Sequence, residues 1–449
     1  MQQSILNILH FGGSLMVFAE YVKNNLLSLI REMATVPWLF SKKPEIDFSR
    51  NRKNNFESTI LFLLSLESGS LKKELLEFFH FSMDTPSTSA FSQQRNKLLP
   101  ETLQFLFYEF NARFSFKKTY KGYRLLACDG SDLNIPYNPN DADTYFQTQP
   151  TDKGFNQMHL NALFDLREKR YVDLAIQPAR KENESLAMTQ MIDRYQGDKK
   201  TIFIADRGYE TYNIFAHVQE KEMYYLIRVK DGTKGGMTGS FELPKDKEFD
   251  HDMELILTRK QTKEIRSNPK KYKYLSKTSP FDYLDLYDKK FYLLNFRVIR
   301  FAISEDSYEC IITNLPKEEF SAEEIKKIYA MRWGIETSFR ELKYAIGLNY
   351  FHSKKVEYIT QEIYARVILY NYCELITMNV VIQQKDTKHI YQMNFTIAIH
   401  ICRHFLRNDI SPPDVETLIQ KHLLPVRPGR SDPRKIKAKS AVSFLYRVA

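Results

Sequence analysis

The sequence predicts an α/β protein in which helices flank a mixed β-sheet, with helical regions before and after that sheet. Three observations support this prediction. From Tyr123 onward, apolar runs of strand length alternate with amphipathic helical segments. Residues 17–120 carry apolar residues at helical spacing, with a break at Ser68-Gly69-Ser70. Residues 230–307 interrupt the alternation with a glycine-rich turn and short strands, which indicates a β-rich insertion.

The predicted sheet is built from a strand, a hairpin of two strands, a helix, a strand, a helix and a strand. Two of its strands end on an aspartate, and the hairpin turns at Arg167-Glu168-Lys169-Arg170. The α/β pattern resumes after the insertion at YECIITNL, and a long helix begins after Ser321. In chain order the segments before the insertion are YRLLACD, HLNALFDL, YVDLAIQP, ESLAMTQMIDRY, TIFIAD, NIFAHVQE and MYYLIRVK.

The composition of the 449 residues is that of an ordinary globular protein with a basic surface. Hydrophobic residues make up 43% of the chain, and 65 Lys and Arg against 55 Asp and Glu give a formal net charge of +10. This excess of cations, with 27 Tyr and 32 Phe, suits a polyanion, because cations neutralise phosphates and aromatic rings stack on bases. The four Cys form no C-x-x-C pair, which argues against a disulfide scaffold or zinc ribbon. Since no apolar run is long enough to span a bilayer, we expect a cytoplasmic protein with no membrane partner.

The N-terminal region contains a possible helix-turn-helix. LKKELLEFFHF is followed by a polar turn and then by TSAFSQQRNKLL, in which Thr88 can cap a second helix. That helix would expose Gln93, Gln94, Arg95 and Lys97, as in a DNA-reading helix. A plain helical bundle has the same pattern, so both interpretations stay open at this point.

Asp129 and Asp206 each follow an apolar strand. A carboxylate at such a strand end has a fixed backbone and a side chain open to ligands at the sheet edge. An ordinary turn also begins with aspartate, so either residue alone is weak evidence for a site.

The segment SAEEIKKIYAMRWGIETSFRELKYAIG predicts one long helix with polar residues clustered on one side. Ser321 and Glu324 have the spacing of a capping box, and Gly347 can end the helix. Four polar side chains fall within about 60° of one another at 100° per residue, next to an apolar stripe. The alternative is a helix edge with ordinary ion pairs, such as one between Arg332 and Glu336. The stripe consists of Ile325, Ile328, Phe339 and Ile346, and the polar cluster of Tyr329, Arg332, Glu336 and Lys343.

Two aspartates and one glutamate favour hard cations. Carboxylate oxygens suit Mg²⁺ or Mn²⁺ better than zinc. Two such ions can activate a water or a 3′-hydroxyl and stabilise the leaving oxygen in phosphodiester cleavage. Neighbouring Arg, Lys and Tyr side chains would bind the DNA phosphates.

The spacing Tyr329-x2-Arg332-x3-Glu336-x6-Lys343 resembles the Y-R-E-K signature of a group of DDE transposases. These are the transposases of the bacterial insertion sequences that form family four. DGS at Asp129 and ADRGY at Asp206 resemble the two aspartate motifs of that family. The resemblance covers about residues 50–449. It implies that Asp129, Asp206 and Glu336 are catalytic and hold two Mg²⁺ or Mn²⁺ ions, and that Tyr329, Arg332 and Lys343 bind the DNA end.

The resemblance also implies a fold and a reaction. The fold would be an RNase H-like mixed five-stranded sheet with a β-rich insertion. The enzyme would act as a homodimer on the terminal inverted repeats of double-stranded DNA. It would cut one strand, form and reopen a hairpin end, and insert the element into target DNA, a cut-and-paste route.

Five regions follow from the patterns and the resemblance together. Residues 386–449 end in a strongly basic stretch, which is either a solvated tail or a DNA contact. The regions are an N-terminal helical domain expected to bind DNA ends, residues 1–120; the first part of the RNase H-like catalytic domain, 121–230; the β-rich insertion, 231–307; the second part of the catalytic domain, 308–385; and the C-terminal helical and basic region, 386–449.

One departure from the family concerns tryptophan. A relative traps a flipped base with a Trp in the insertion, whereas the two Trp of this chain, Trp38 and Trp333, lie elsewhere. A Tyr or Phe is therefore expected in that role if the hairpin route holds. The candidates are Tyr272, Tyr274, Tyr283 and Phe291.

Other interpretations are weaker. His400-x3-His404 has the spacing of a metal pair, but a packed helix explains its apolar surroundings better. The absence of a G-x-x-x-x-G-K-[ST] sequence disfavours an ATPase. The alternatives to a transposase are a catalytically inactive or domesticated sequence-specific DNA-binding protein and a nonspecific nuclease on the same core.

Overall fold

The computed structural model describes residues 8–11, 14–50, 54–231, 236–287, 289–380, 390–407 and 415–426. The basic end of the chain, residues 427–449, lies outside the described residues. The helices are α1 Phe18–Thr35, α2 Phe56–Ser65, α3 Leu71–Phe78, α4 Thr88–Arg95, α5 Thr102–Ala112, α6 Glu184–Arg194, α7 Tyr212–Glu220, α8 Lys263–Ser267, α9 Ala322–Met331, α10 Trp333–Tyr344, α11 Val356–Thr377, α12 Phe395–Arg407 and α13 Val415–Gln420. The strands are β1 Ile8–Phe11, β2 Ser14–Val17, β3 Arg124–Ile135, β4 Tyr145–Phe146, β5 Phe155–Asp165, β6 Arg170–Pro178, β7 Thr201–Ala205, β8 Tyr224–Val229, β9 Phe249–Thr258, β10 Tyr272–Tyr274, β11 Phe291–Ser304, β12 Ser307–Thr313, β13 Tyr391–Met393 and β14 Leu423–Pro425.

Ten of the described strands form one mixed sheet, in the order β10-β9-β11-β12-β8-β7-β3-β5-β4, with β6 paired to β5. The strands β3, β7 and β8 are parallel, and β5 and β6 form the predicted hairpin. The strands of the predicted insertion extend the same sheet, because β12 pairs with β8 on one side and with β11 on the other. The prediction of a mixed α/β sheet is confirmed, and the sheet is larger than the five strands expected.

The strand that carries Asp129 is longer than predicted. It does not end at Asp129 but continues to Ile135, because β5 pairs with it antiparallel along its whole second half. On its other side β3 pairs with β7 only as far as Ala127, opposite Ile204. Asp129 therefore lies within β3, just beyond the point where its parallel neighbour ends.

The long helix predicted after Ser321 is divided in two. Ser321 and Glu324 form the predicted capping box, and Gly347 has the positive φ of +94° expected at the end. Between them α9 ends and α10 begins at Arg332, where the backbone N–H bonds to the carbonyl of Tyr329, three residues back. The apolar stripe of Ile325, Ile328, Phe339 and Ile346 is buried as predicted.

The helix α11 is the centre of the helical part of the molecule. Nearly every residue of α11 is buried. The helix packs against the four helices α1, α2, α5 and α12 and against the strand β6. The buried amide of Asn371 accepts the N–H of Tyr171 at 2.9 Å and donates to Asn111 at 2.9 Å, which ties α11 to β6 and α5. The N-terminal helices and the sheet thus share one core.

The predicted exposed face of the second helix of the helix-turn-helix is wrong for two of its residues. Gln94 and Arg95 on α4 are buried, since Gln94 bonds to the carbonyl of Asn54 and Arg95 bonds to α11. Of the four residues, Gln93 is exposed and Lys97 is half-buried. The N-cap is Ser87, which accepts the N–H of Ala90, and not Thr88.

Arg95 belongs to a buried ion network that joins α3, α4 and α11. Its guanidinium lies 2.8 Å from Glu362, whose other oxygen lies 3.2 Å from Nδ1 of His352. The Nε2 atom of His352 lies 3.3 Å from Glu74. Burial alone would lower the pKa of His352, but Glu362 and Glu74 raise it to about 9, from 6.5 in the unfolded chain. The imidazole is therefore charged at neutral pH.

We expect this network to make stability fall at alkaline pH. Because the pKa of His352 is raised on folding, its contribution is complete below about pH 6.5 and is lost as the pH rises through 9. The loss is at most about 3 kcal/mol, from 1.36 kcal/mol per pKa unit. The charges facing His352 are Glu74 and Glu362, with Arg366 close to both.

Urea unfolding at pH 6 and pH 9.5 tests this expectation. The wild type should lose more free energy of unfolding between these two values than His352→Gln does. The control variant His251→Gln, outside the network, should lose as much as the wild type; a His352→Gln variant with the same pH dependence as the wild type would contradict it.

No described helix combines the length and apolar character needed to cross a membrane. The four cysteines are buried free thiols.

Candidate active site

Asp129 on β3 and Asp206, directly after β7, lie at the same level, because β3 and β7 are paired and parallel. The last pair between them is Ala127 with Ile204, and each aspartate comes two residues after its member of that pair. Asp206 turns the chain away from the sheet, because its carboxylate accepts the N–H of Gly208 at 2.8 Å. This register brings the two aspartates together where the pairing of β3 and β7 ends, although β3 itself continues beyond Asp129.

Glu336 is linked to Asp129 through Arg332. The Arg332 guanidinium donates from Nη2 to Glu336 at 2.8 Å, and its Nη1 lies 3.5 Å from Asp129. The residue Arg332 is only 4% exposed, since α10 packs against β3. The i, i+4 pair of Arg332 and Glu336 that the sequence offered as the alternative is present, and it contacts the sheet aspartate as well.

Burial raises the pKa of Asp129 to about 6. The negative charges of Asp206 and Glu336 add to this rise, while the Arg332 guanidinium and the N–H of Gly130 oppose it. Asp206 and Glu336 are therefore close enough to affect the pKa of Asp129, and the Arg332 guanidinium lies between Asp129 and Glu336.

The oxygens of Asp129, Asp206 and Glu336 do not all lie within 4.8 Å of one another. In the described part of the chain, one group of three side chains has potential ligand atoms that all lie within 4.8 Å of one another: Asp132, His159 and Glu182. Burial alone would lower the pKa of His159, but hydrogen bonds to Asp132 and Glu184 raise it to about 9. Both ring nitrogens of His159 face carboxylates, so in this structure the group is an ion cluster.

Lys343 and Tyr329 take different positions around the acids. Lys343, near the end of α10, donates to Ser131 at 2.7 Å and to the carbonyl of Asp132 at 2.8 Å, just beyond Asp129 on β3. Burial lowers the pKa of Lys343. Tyr329 is 4% exposed, with its ring centre 5.7 Å from the Arg332 guanidinium. Of the predicted helical cluster, Arg332 and Lys343 thus contact the region of Asp129 on β3, while Glu336 and Tyr329 lie beside Arg332.

The cluster around His159 was not predicted. His159 lies on β5 directly opposite Asp132, and its ring nitrogens lie 2.9 Å from Asp132 and 3.1 Å from Glu184. The sequence signal for it is slight: one histidine in an apolar strand and an Asn183-Glu184 helix start.

The insertion aromatics differ in exposure. The Tyr283 ring packs between His217 and Tyr292, whereas Tyr274 is 38% and Phe291 49% exposed. The half-buried ring of Tyr272 packs on that of Phe291. Exposure therefore favours Tyr274 and Phe291 among the four candidates for stacking on a base.

His400 and His404 are exposed on α12, while Cys402 between them is fully buried. Neither histidine belongs to a compact ligand group in the described ranges. The packed helix remains the better interpretation.

A family model described as the transposase DDE domain matches residues 120–372, more than half of the chain. Two curated relatives are each 34% identical over 58 residues: the putative transposase InsL for insertion sequence element IS186A of Escherichia coli strain K12, and the transposase for insertion sequence element IS421 of Escherichia coli. The aligned stretch covers 13% of this chain and only 16% of the length of each relative.

A cryo-EM structure of a piggyBac transposase synaptic complex with hairpin DNA is similar over 92% of this chain and 87% of that chain. Its sequence identity is 11% and its TM-score is 0.43, which is too distant a similarity to assign a fold or a role to this protein. The family match, in contrast, spans the three acids, Arg332 and Lys343. The chain belongs to the transposase DDE domain family.

Proposed function

We propose that this protein is a transposase that cleaves DNA at the ends of an insertion sequence and transfers the freed strand into target DNA. One observation carries the proposal: Asp129 on β3 and Asp206 directly after the parallel β7 lie level, and Glu336 shares the guanidinium of Arg332 with Asp129. Membership of the DDE family supports it. The proposed catalytic residues are therefore Asp129, Asp206 and Glu336.

The proposed catalytic domain is an RNase H-like core. Its five strands would be β6, β5, β3, β7 and β8, with α6 and α7 in the connections. This core corresponds to residues 121–230 and 308–385, and the insertion 231–307 extends its sheet. We propose DNA-end contacts for residues 1–120 and 386–449.

The donor set fits Mg²⁺ or Mn²⁺, since all three acids offer carboxylate oxygens and no thiol side chain is exposed among them. Asp129, Asp206 and Glu336 would hold the ions, two in number by family resemblance. Bound there, the ions would activate a water or a 3′-hydroxyl and stabilise the leaving oxygen.

The cationic side chains would bind the DNA backbone. A phosphate can accept two N–H groups of Arg332, which here point to two different carboxylates, so DNA can compete for this guanidinium. Lys343 and Tyr329 would complete the grip on the terminal nucleotide. We propose a homodimer on paired ends and a cut-and-paste route through hairpin ends, with Tyr274 or Phe291 stacking on a displaced base.

Arg332→Ala should weaken binding to terminal DNA and reduce the slope of log affinity against log salt by about one, because one phosphate contact is lost. The control is Arg340→Ala, which removes an exposed arginine from the same helix. Fluorescence anisotropy at several salt concentrations measures both variants. Equal slopes for the two variants would contradict the assigned role of Arg332.

Incubation of the purified protein with Mg²⁺ and a duplex carrying the inverted repeats that flank its gene tests the proposed function. Strand cleavage at the repeat ends, followed by joining to a target plasmid, is the expected result. Specific binding without cleavage would favour an inactive DNA-binding protein, and equal cutting of unrelated duplexes would favour a nonspecific nuclease. Either outcome contradicts the proposal.

A further inference from the structure

Glu184 lies between the two segments that carry the aspartates. It is the first residue of α6, and its two carboxylate oxygens lie near different segments, Oε1 near β5 and Oε2 near Gly208. A Cβ at Gly130, next to Asp129, would lie 2.3 Å from Oε1 of Glu184 and 2.4 Å from Nε2 of His159, so these side chains would have to move to make room for it. A Cβ at Gly208 would lie 3.3 Å from Oε2 of Glu184 and 3.1 Å from Asp206. Glu184 and His159 therefore fill the space beside Gly130, and Glu184 shares the space around Gly208 with Asp206.

His159 holds one oxygen of Glu184 and leaves the other available. Nε2 of His159 lies 3.1 Å from Oε1, and the opposite ring nitrogen lies 2.9 Å from Asp132, so the ring cannot turn without losing a partner. Among the described residues, Oε2 has no hydrogen-bond donor. The carboxylate is thus oriented, with its unoccupied oxygen on the side of Asp206.

A second observation comes from the buried side of the same space. The hydroxyl of Tyr209, in the segment after Asp206, is buried beside the thiol of Cys128, the residue before Asp129. Burial raises the pKa of Tyr209 well above its ordinary value, and Cys128, Glu184 and Asp129 add to this rise. Glu184 and Asp129 are therefore both close enough to Tyr209 to affect its pKa.

We propose that Glu184 is a fourth carboxylate of the cation site of Asp129, Asp206 and Glu336, and that its Oε2 is an oxygen ligand for the divalent ion. This inference rests on the proposed function. His159 is a positioning residue, because it touches Glu184 and not the ion. The neighbouring Glu182, which lies 3.3 Å from the other nitrogen of His159, has no part in the site.

Titration of the full-length protein with Mn²⁺, followed by the EPR signal of free Mn²⁺, tests the proposal without a reaction. Glu184→Gln should weaken Mn²⁺ binding by about 10-fold or more. Loss of a group that only hydrogen-bonds to a ligand lowers metal affinity by about 10–100-fold, and here the ligand itself is lost. Glu182→Gln, which removes the same type of charge from the same histidine, should change the affinity less than about twofold. Far-UV circular dichroism checks folding, and Glu184→Asp supplies a second variant that keeps the charge but shortens the reach.

The outcomes separate this inference from the proposed function. Wild-type Mn²⁺ affinity in a folded Glu184→Gln or Glu184→Asp variant, with loss of binding in Asp129→Asn, would overturn the role of Glu184 and leave the function standing. Wild-type affinity in Asp129→Asn would contradict the proposed cation site itself. A loss of binding in Glu182→Gln equal to that in Glu184→Gln would place the ion at the His159 cluster and overturn the proposal.

Discussion

Glu336→Gln should lower the rate of DNA-end cleavage more than about 100-fold. Removing a group that only hydrogen-bonds to a metal ligand costs up to about 100-fold in activity, and removing the ligand itself should cost at least as much. Asp129→Asn and Asp206→Asn should do the same. Each change keeps the size of the side chain and removes the charge that would hold the cation. Single-turnover cleavage with saturating protein measures the chemical step apart from DNA binding.

The matched control for these three variants is Asp152→Asn, an exposed acid in the loop before β5. It should cleave at the wild-type rate. The three active-site variants should still bind the terminal DNA, since removing negative charge does not weaken attraction to phosphate. Cleavage within tenfold of wild type in any of the three would exclude that residue from the catalytic set.

Glu362→Gln should destabilise the protein by about 3–5 kcal/mol, the usual cost of breaking a buried ion pair by removing one partner. Glu362 is fully buried and pairs with both Arg95 and His352. Its loss leaves two buried cations facing a neutral amide. The free energy of unfolding in urea at pH 7 measures the effect.

Glu357→Gln on the same helix is the control. Glu357 pairs with Lys42 at the surface, where such a pair is worth at most about 1 kcal/mol. A similar loss of stability in both variants would show that the buried network does not hold the N-terminal helices to α11.

Local sequence patterns predicted the elements around the site well. The β5–β6 hairpin, the capping box at Ser321 and the apolar stripe through Ile325 and Phe339 depend on neighbours within a few residues, and such patterns report local structure. The DDE transposase prediction is confirmed at the level of the family. The roles of Asp129, Asp206 and Glu336 stay predictions.

Features that depend on distant partners were missed. Asp129 was expected at a strand end, but β5 extends β3 beyond it, and pairing partners cannot be seen in a single strand. Gln94 and Arg95 were expected at the surface, but Arg95 bonds to α11, more than 250 residues away, and Gln94 bonds to Asn54, 40 residues away. The His159 cluster joins β3, β5 and α6, and no spacing in the sequence connects these segments.

A crystal structure with terminal DNA and Mn²⁺ tests the central claim most directly, because anomalous scattering locates the ions independently of the protein atoms. We expect Mn²⁺ peaks at about 2.0–2.2 Å from oxygens of Asp129, Asp206 and Glu336, with the Arg332 guanidinium moved from the carboxylates to a phosphate. Peaks at Asp132, His159 and Glu182, with Arg332 still between Asp129 and Glu336, would contradict it.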